Sequence, residues 1–318
     1  MSLAAALLGV VFDPSVAHAD PATITPEQAY DLGQTPHPRA LAVGGAANAV
    51  GTSTTSLFYN PANLPLARVY HFEALAAVSP EARRQTYGGA IVDSMTNRLA
   101  GGVGGSWSIL DPDGQRRSWT DIRLGLGLPL GERVSIGIGG RYLRLDNAVS
   151  RGPLGASLAS DGTREDPVLN ALTFDAGLTI LPFGGLRLAA VGHNLTNPGT
   201  ALAPTTVTGA IGWKSDDFSI EGDVLVDFTT WKGSKIRAMG GGEYLIADHF
   251  PLRAGYRYDD GMGTHAISAG VGYVDRRFSV ELSGSRDIVA THPGTMISLG
   301  LRYFYDSGKA PTDEPEAF

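Results

Sequence analysis

Three carboxylates in one short stretch, Glu221, Asp223 and Asp227, and three arginines, Arg237, Arg253 and Arg257, are the first residues whose type and spacing suggest chemistry. Side chains two apart on a strand share a face, so the three acids point the same way. The arginines lie two strands away or fewer. Such a set makes either a charged conduit for a solute or an ion-pair ladder with no solute, since buried charges need partners in any protein. His193, His265 and His292 fall near strand ends or loops, with Asp259 and Asp260 nearby, and read as exposed loop residues rather than a metal site. Gly125-Leu126-Gly127 and Gly137-Ile138-Gly139 sit in mid-strand and open no helix, so they do not read as phosphate loops. No Ser-His-acid set with a sequence signature is present. The expectation is a protein without catalytic residues, cofactor or metal.

The elements that position these residues are strands. The 318-residue chain carries 42 Gly, no Cys and a net charge of −7, with 18% charged and 43% hydrophobic residues. Absence of Cys excludes disulfides and thiolate sites. The acidic balance, with no basic run, argues against nucleic acid. Glycines recur inside apparent strands, where they would weaken a soluble sheet. In residues 120–146, Ile122, Leu124, Leu126, Leu128 and Leu130 share one face, opposite Asp121 and Arg123. After a turn at Gly131-Glu132, Val134, Ile136, Ile138 and Tyr142 share a face, opposite Arg141.

This alternation continues through about fourteen segments. The spans are 68–79, 83–94, 98–109, 117–130, 132–146, 169–181, 185–195 and 205–214, then 217–229, 234–246, 250–259, 263–274, 276–288 and 295–305. Tight turns at 94–97, 131–132, 182–184, 215–216, 247–249 and 275–276 alternate with connections that include the long ones at 147–167 and 194–204. Short periplasmic turns and longer outer loops are the asymmetry of a membrane barrel.

The aromatic residues agree. Tyr70, Phe72, Trp213, Phe218, Tyr244, Tyr273, Phe278, Tyr303 and Tyr305 lie at one set of strand ends, on the apolar face. Tyr87, Trp107, Tyr142, Phe228, Tyr256 and Tyr258 lie toward the other ends, on the same face. Two such belts mark the two interfaces of a bilayer. The charged face, which also holds Asp175, Arg187, Glu243, Glu281, Asp287 and Arg302, must then line the lumen. The expected fold is all-β: a transmembrane antiparallel barrel spanning 68–305, in the outer membrane of a Gram-negative bacterium.

Its expected partners are outer-membrane lipids and the barrel assembly machinery. The final strand, with Gly300, Tyr303 and Tyr305, resembles the terminal signal read by that machinery. Residues 306–318 form a periplasmic tail. At the other end, the apolar run Leu3 to Phe12 and the small-x-small site Ala17-His18-Ala19 read as a signal peptide over 1–19, with maturation near Asp20.

Residues 36–67 do not alternate. Arg39, Ala40, Gly44, Gly45, Ala46, Ala49, Leu57, Phe58, Asn60, Pro61 and Ala62 form a pattern of small residues closed by Asn-Pro-Ala. This resembles the N-terminal region of the long-chain fatty acid transporter superfamily (FadL-like), including its PorV-like branch. Residues 242–261, with Glu243-Tyr244 and Leu252-Arg253-Ala254-Gly255-Tyr256, are similar to a phrase repeated in that branch. The resemblance implies a fourteen-stranded barrel with residues 20–67 forming a periplasmic segment and a luminal hatch. In it Gly44, Gly45, Asn60, Pro61 and Ala62 are structural. Pro61 sets its own φ and biases Asn60 to an extended backbone, and Asn60 can bond nearby main chain. The resemblance implies transport of small hydrophobic molecules. The alternative is a PorV-like accessory protein that docks a secretion or envelope complex and moves no solute of its own.

Overall fold

An apolar strand face can look outward only if lipid replaces water there. Lipid offers backbone groups no partner, so the strands must close on themselves. The computed structural model describes residues 36–110, 117–146, 169–198, 203–291 and 293–305, and it shows this closure. The first seven strands are β1 (Tyr70–Ser79), β2 (Arg84–Asp93), β3 (Ala100–Leu110), β4 (Arg117–Leu130), β5 (Val134–Asp146), β6 (Leu169–Ile180) and β7 (Leu186–His193). The other seven are β8 (Thr206–Lys214), β9 (Phe218–Asp227), β10 (Lys235–Ile246), β11 (Phe250–Asp259), β12 (Thr264–Val274), β13 (Phe278–Val289) and β14 (Thr295–Phe304). Each pairs antiparallel with its neighbours in sequence, and β1 pairs with β14 from His71–Phe304 to Val78–Ile297, which closes the barrel. Among the described residues no helix is long and apolar enough to cross a membrane; the strands make the crossing. The expected signal peptide, 1–19, and the expected tail, 306–318, lie outside the described residues.

The register leaves the apolar face outside. Leu124, Leu126, Leu128, Ile136 and Ile138 are exposed, whereas Asp121, Arg123 and Arg141 are buried inside. Phe72, Trp213, Phe218, Tyr244, Phe278, Tyr303 and Tyr305 are exposed at the ends with tight turns, and Tyr87, Phe228 and Tyr256 toward the other ends. At the tight turn after β4, Gly131 adopts φ +73, a left-handed backbone that Gly takes without strain. The closed sheet, apolar band and two girdles together are those of an outer-membrane barrel.

The turn from β1 to β2 is tied across the closure. Glu81 accepts hydrogen bonds from the Thr295 backbone N–H (2.9 Å) and Oγ1 (2.8 Å), and from Arg286 Nη1. Partial burial alone would raise the Glu81 carboxyl pKa; the bonds from Thr295 and Arg286 outweigh it and hold the group below its ordinary value. A carboxylate with a lowered folded pKa stabilises above its unfolded pKa, and that contribution fades as pH falls through the folded value. Glu81→Gln is expected to lower the Tm of the barrel at about pH 7, with the gap closing as pH falls below the ordinary carboxylate range. Thermal melts of both proteins across that range check it.

Candidate functional site

The lumen is occupied by residues 36–66 of the same chain. This segment has too little apolar bulk for a core of its own, so it takes its order from the wall. It folds as α1 (Pro38–Ala42), α2 (Thr54–Tyr59) and a 3-10 turn, Pro61–Leu66. Pro38 and Pro61 open two of these elements, where a missing N–H costs nothing. Asn60 is extended, at φ −145 and ψ 101, as the residue before a proline prefers. Its Oδ1 accepts from Ala62 N–H (3.0 Å), and its Nδ2 donates to Asn48 O (2.7 Å) and to Thr179 Oγ1 on β6 (2.9 Å). Asn63 Nδ2 donates to Asn48 O (2.8 Å) and Gly51 O (3.0 Å), and its Oδ1 accepts from Thr179 Oγ1 at 2.6 Å. The two asparagines thus staple the segment to itself and to the wall.

Glycine inside the strands has its reason here. A Cβ on Gly137 would land on the Pro61–Ala62 peptide, and one on Gly255 on the Val43–Gly44 peptide. A Cβ on Gly44, at φ +71, would lie 2.6 Å from Tyr256 O. Bare backbone on both sides allows this approach. Gly45 also has positive φ, +92, beside Met239, and Ala62 O accepts from Ser135 Oγ at 2.6 Å. On β14, Gly300 faces inward against Pro38, while Tyr303 and Tyr305 are exposed on the outer face.

The carboxylates on β9 do not meet the three arginines. Asp223 Oδ2 accepts from the N–H groups of Ala47 (3.2 Å) and Asn48 (3.3 Å), and from Asn48 Nδ2 (2.7 Å). Glu221 accepts from the N–H groups of Val50 (2.9 Å) and Ala49. Four successive backbone N–H groups are therefore held by two adjacent acids. Asp227 instead caps its own turn, accepting from Thr229 N–H (2.9 Å) and Thr230 N–H (3.0 Å). Arg237 Nε donates to Asp259 (2.8 Å), Arg253 binds Glu281 (2.9 Å) and Glu243, and Arg257 faces Asp287 at 3.9 Å. Neither the expected conduit nor the expected ladder joins these six residues. The register explains it: Glu221 lies between Gly212 and Gly241, which leaves room for backbone and supplies no cation.

Two charge clusters do form. The first is Asp121 with Arg123 (3.0 Å) and Arg141 (2.9 Å), beside Asp175, which binds His193 Nδ1 (3.2 Å) and the Asn194 N–H (2.8 Å). Arg123 also donates to Phe58 O of the segment. The second runs from His37 to Glu73 (3.1 Å), Arg302 (3.3 Å) and Glu281 (3.2 Å), then through Arg253 and Glu243 to Arg39 (3.1 Å). Glu73 and His37 escaped the sequence reading as luminal charges. Glu73 was findable, because it follows the outward Phe72. His265 lies at an outer strand end beside the Tyr256 hydroxyl, and His292 lies outside the described residues.

Just outside the first cluster, toward the outer loops, the inner wall turns apolar. Trp119, Leu145 and Leu169 form one cross-strand row on β4, β5 and β6. Leu143 and Ala203 complete the patch. No sequence signal singled it out, because inward and outward apolar residues look alike. Beside it the β6–β7 ladder spans only Ala176–Gly192 to Ile180–Leu188. Strand β7 ends early, at His193, because Asn194 turns to φ +53 and its Nδ2 binds Pro204 O (2.8 Å).

No protein-family model matches the chain, and no curated protein matches it in sequence. Solved structures do match in fold. The toluene transporter TbuX of Ralstonia pickettii superposes with a TM-score of 0.58 at 13% identity, covering 87% of this chain and 100% of its own. The toluene transporter TodX of Pseudomonas putida gives 0.58 at 13% identity over 83% and 96% of the two chains. A FadL homologue of Pseudomonas aeruginosa gives 0.57 at 14% identity over 86% and 99%. At such identities the likeness speaks for the fold, and the fold is that of the FadL-type outer-membrane barrels.

Proposed function

We propose that this barrel carries small hydrophobic molecules across the outer membrane and performs no catalytic step. The observation that carries the reading is the apolar row Trp119–Leu145–Leu169 with Leu143, set inside the wall on the outer side of the segment that fills the lumen. A water-filled porin has no use for apolar side chains there. A hydrophobic solute gains by leaving water for such a surface. The transport names of two fold neighbours support the reading.

A docking role without a solute is the second reading, favoured by the way wall glycines and paired acids seat residues 36–66 in the lumen. Uptake of radiolabelled toluene by cells with and without the barrel separates the two. Faster uptake is expected with the barrel, and it should fall to background in Leu143→Lys while the barrel is still assembled. Equal uptake with and without the protein would leave the docking reading standing.

A further inference from the structure

The two acids that hold the luminal segment stand too close for both to be charged. Asp223 accepts the Asn48 N–H, and Glu221 accepts the next one along the chain, that of Ala49. Neighbouring main-chain N–H groups thus draw the two carboxyl groups together, and the side chains lie within hydrogen-bond reach of each other. Both residues are buried. Two carboxylates in such contact, away from water, repel strongly, and such a pair retains a proton.

The surroundings say which acid holds it. Glu221 has glycines as cross-strand neighbours, and beyond them Arg187 of β7 and Arg39 of the segment both attract its charge. Asp223 has Ala210 on β8 and Met239 on β10 beside it, and Asn48 and the Tyr59 phenol on the segment side. Asp227, the next acid on β9, is turned to Thr229 and Thr230. Among the described residues no cation pairs with Asp223. Its Oδ2 accepts three N–H bonds, whereas its Oδ1 is buried with no donor. An acceptor left so is costly; a hydroxyl at that position would instead donate to Glu221. We propose that Asp223 is protonated while the segment is seated, donating from Oδ1 to Glu221, and that loss of this proton unlatches residues 47–50 from the wall. Once unlatched, Asp223 faces water and releases its proton there, as an ordinary carboxyl does at neutral pH. The seated form therefore binds one proton more than the open form. Raising the pH favours the open form, by at most about tenfold per pH unit. The latch is independent of any solute: it holds whether the barrel carries toluene or nothing.

Infrared spectra and planar-bilayer conductance of the full chain test it. At neutral pH the parent should show the C=O stretch of a protonated carboxyl that Asp223→Asn removes. The parent's open probability should rise from about pH 6 to about pH 9, by up to about tenfold per unit. Asp223→Asn should stay shut across that range, because its amide donates to Glu221 as the hydroxyl does and cannot ionise. Glu221→Gln, which lets Asp223 ionise without repulsion, should also lose the band and flatten the response. Asp227→Asn, the same charge change on the same strand, should keep both. The gel shift between unheated and heated samples verifies that each variant is folded. A spectrum with no such band, a band that survives in Asp223→Asn, a parent whose conductance ignores pH, or an equal pH response in parent and Asp223→Asn would overturn the latch.

Discussion

Leu126→Arg should destabilise the folded barrel by about 2–4 kcal/mol if the residue sits near the bilayer midplane. Leu126 is exposed on the outer face in the middle of β4, opposite Ile138 on β5, which is also exposed. A guanidinium there meets hydrocarbon instead of water. Equilibrium unfolding in lipid vesicles measures the loss, and a change below about 1 kcal/mol would mean that this face does not meet lipid. From sequence, the neighbouring inward positions Gly125 and Ser135 look tolerant of Arg unless a luminal segment packs there. It does. A Cβ on Gly125 would lie 2.9 Å from Leu57 Cδ1, and Ser135 Oγ binds Ala62 O. Arginine at either position is expected to disturb the segment rather than the wall. The two faces fail for different reasons, so cost alone does not separate them; conductance does.

The second large effect follows from that segment. Deleting residues 36–60 should turn a non-conducting barrel into one that passes ions in porin-like steps in planar bilayers. The wall should still close, because every strand pairing, including β1 with β14, lies downstream of the deletion. Glu221, Asp223, Glu73 and Arg123 would lose their partners in the segment. Water entering the emptied lumen would solvate them, so the charges need not unfold the barrel. The lumen would then be polar and aqueous, as in an open porin. Gly137→Leu and Gly255→Leu, which place side chains where the segment's backbone runs, should give a weaker form of the same result. A deleted barrel that conducts no more than the parent would mean that the wall's own side chains fill the lumen.

The strands were legible because lipid enforces a strict rule. Each outward residue must be apolar, and each backbone group must pair in the sheet. Alternation from Ile122 to Leu130 therefore marks strand, face and orientation at once. The spans agree with the structure to within about two residues at most ends, the usual latitude of such boundaries. Strand β7 is shorter than its alternation suggests, because Asn194 leaves the ladder to bind Pro204 and Asp175. Nothing local in the sequence announces a turn forced by contacts with another strand and a loop.

The luminal site was less legible. Parity alone pointed Glu221, Asp223, Arg237 and Arg253 inward, but parity is silent on partners. Partners depend on register between strands and on what enters the lumen. Gly241 beside Glu221, and Asp259 beside Arg237, are register facts. The clasp of two acids on residues 47–50 needs both register and a second piece of chain brought from far away in sequence.

By itself, then, the sequence determined the barrel, its inside-out faces and its aromatic belts, because these follow from each residue's preference for lipid, interface or water. Only the tertiary structure decided that β9 acids hold main chain and that Trp119, Leu145 and Leu169 align in one row. It alone brought Arg39, Glu243, Arg253, Glu281 and Arg302 into one charged chain. These depend on distances between residues remote in sequence, and solvent preference alone carries no information about distance.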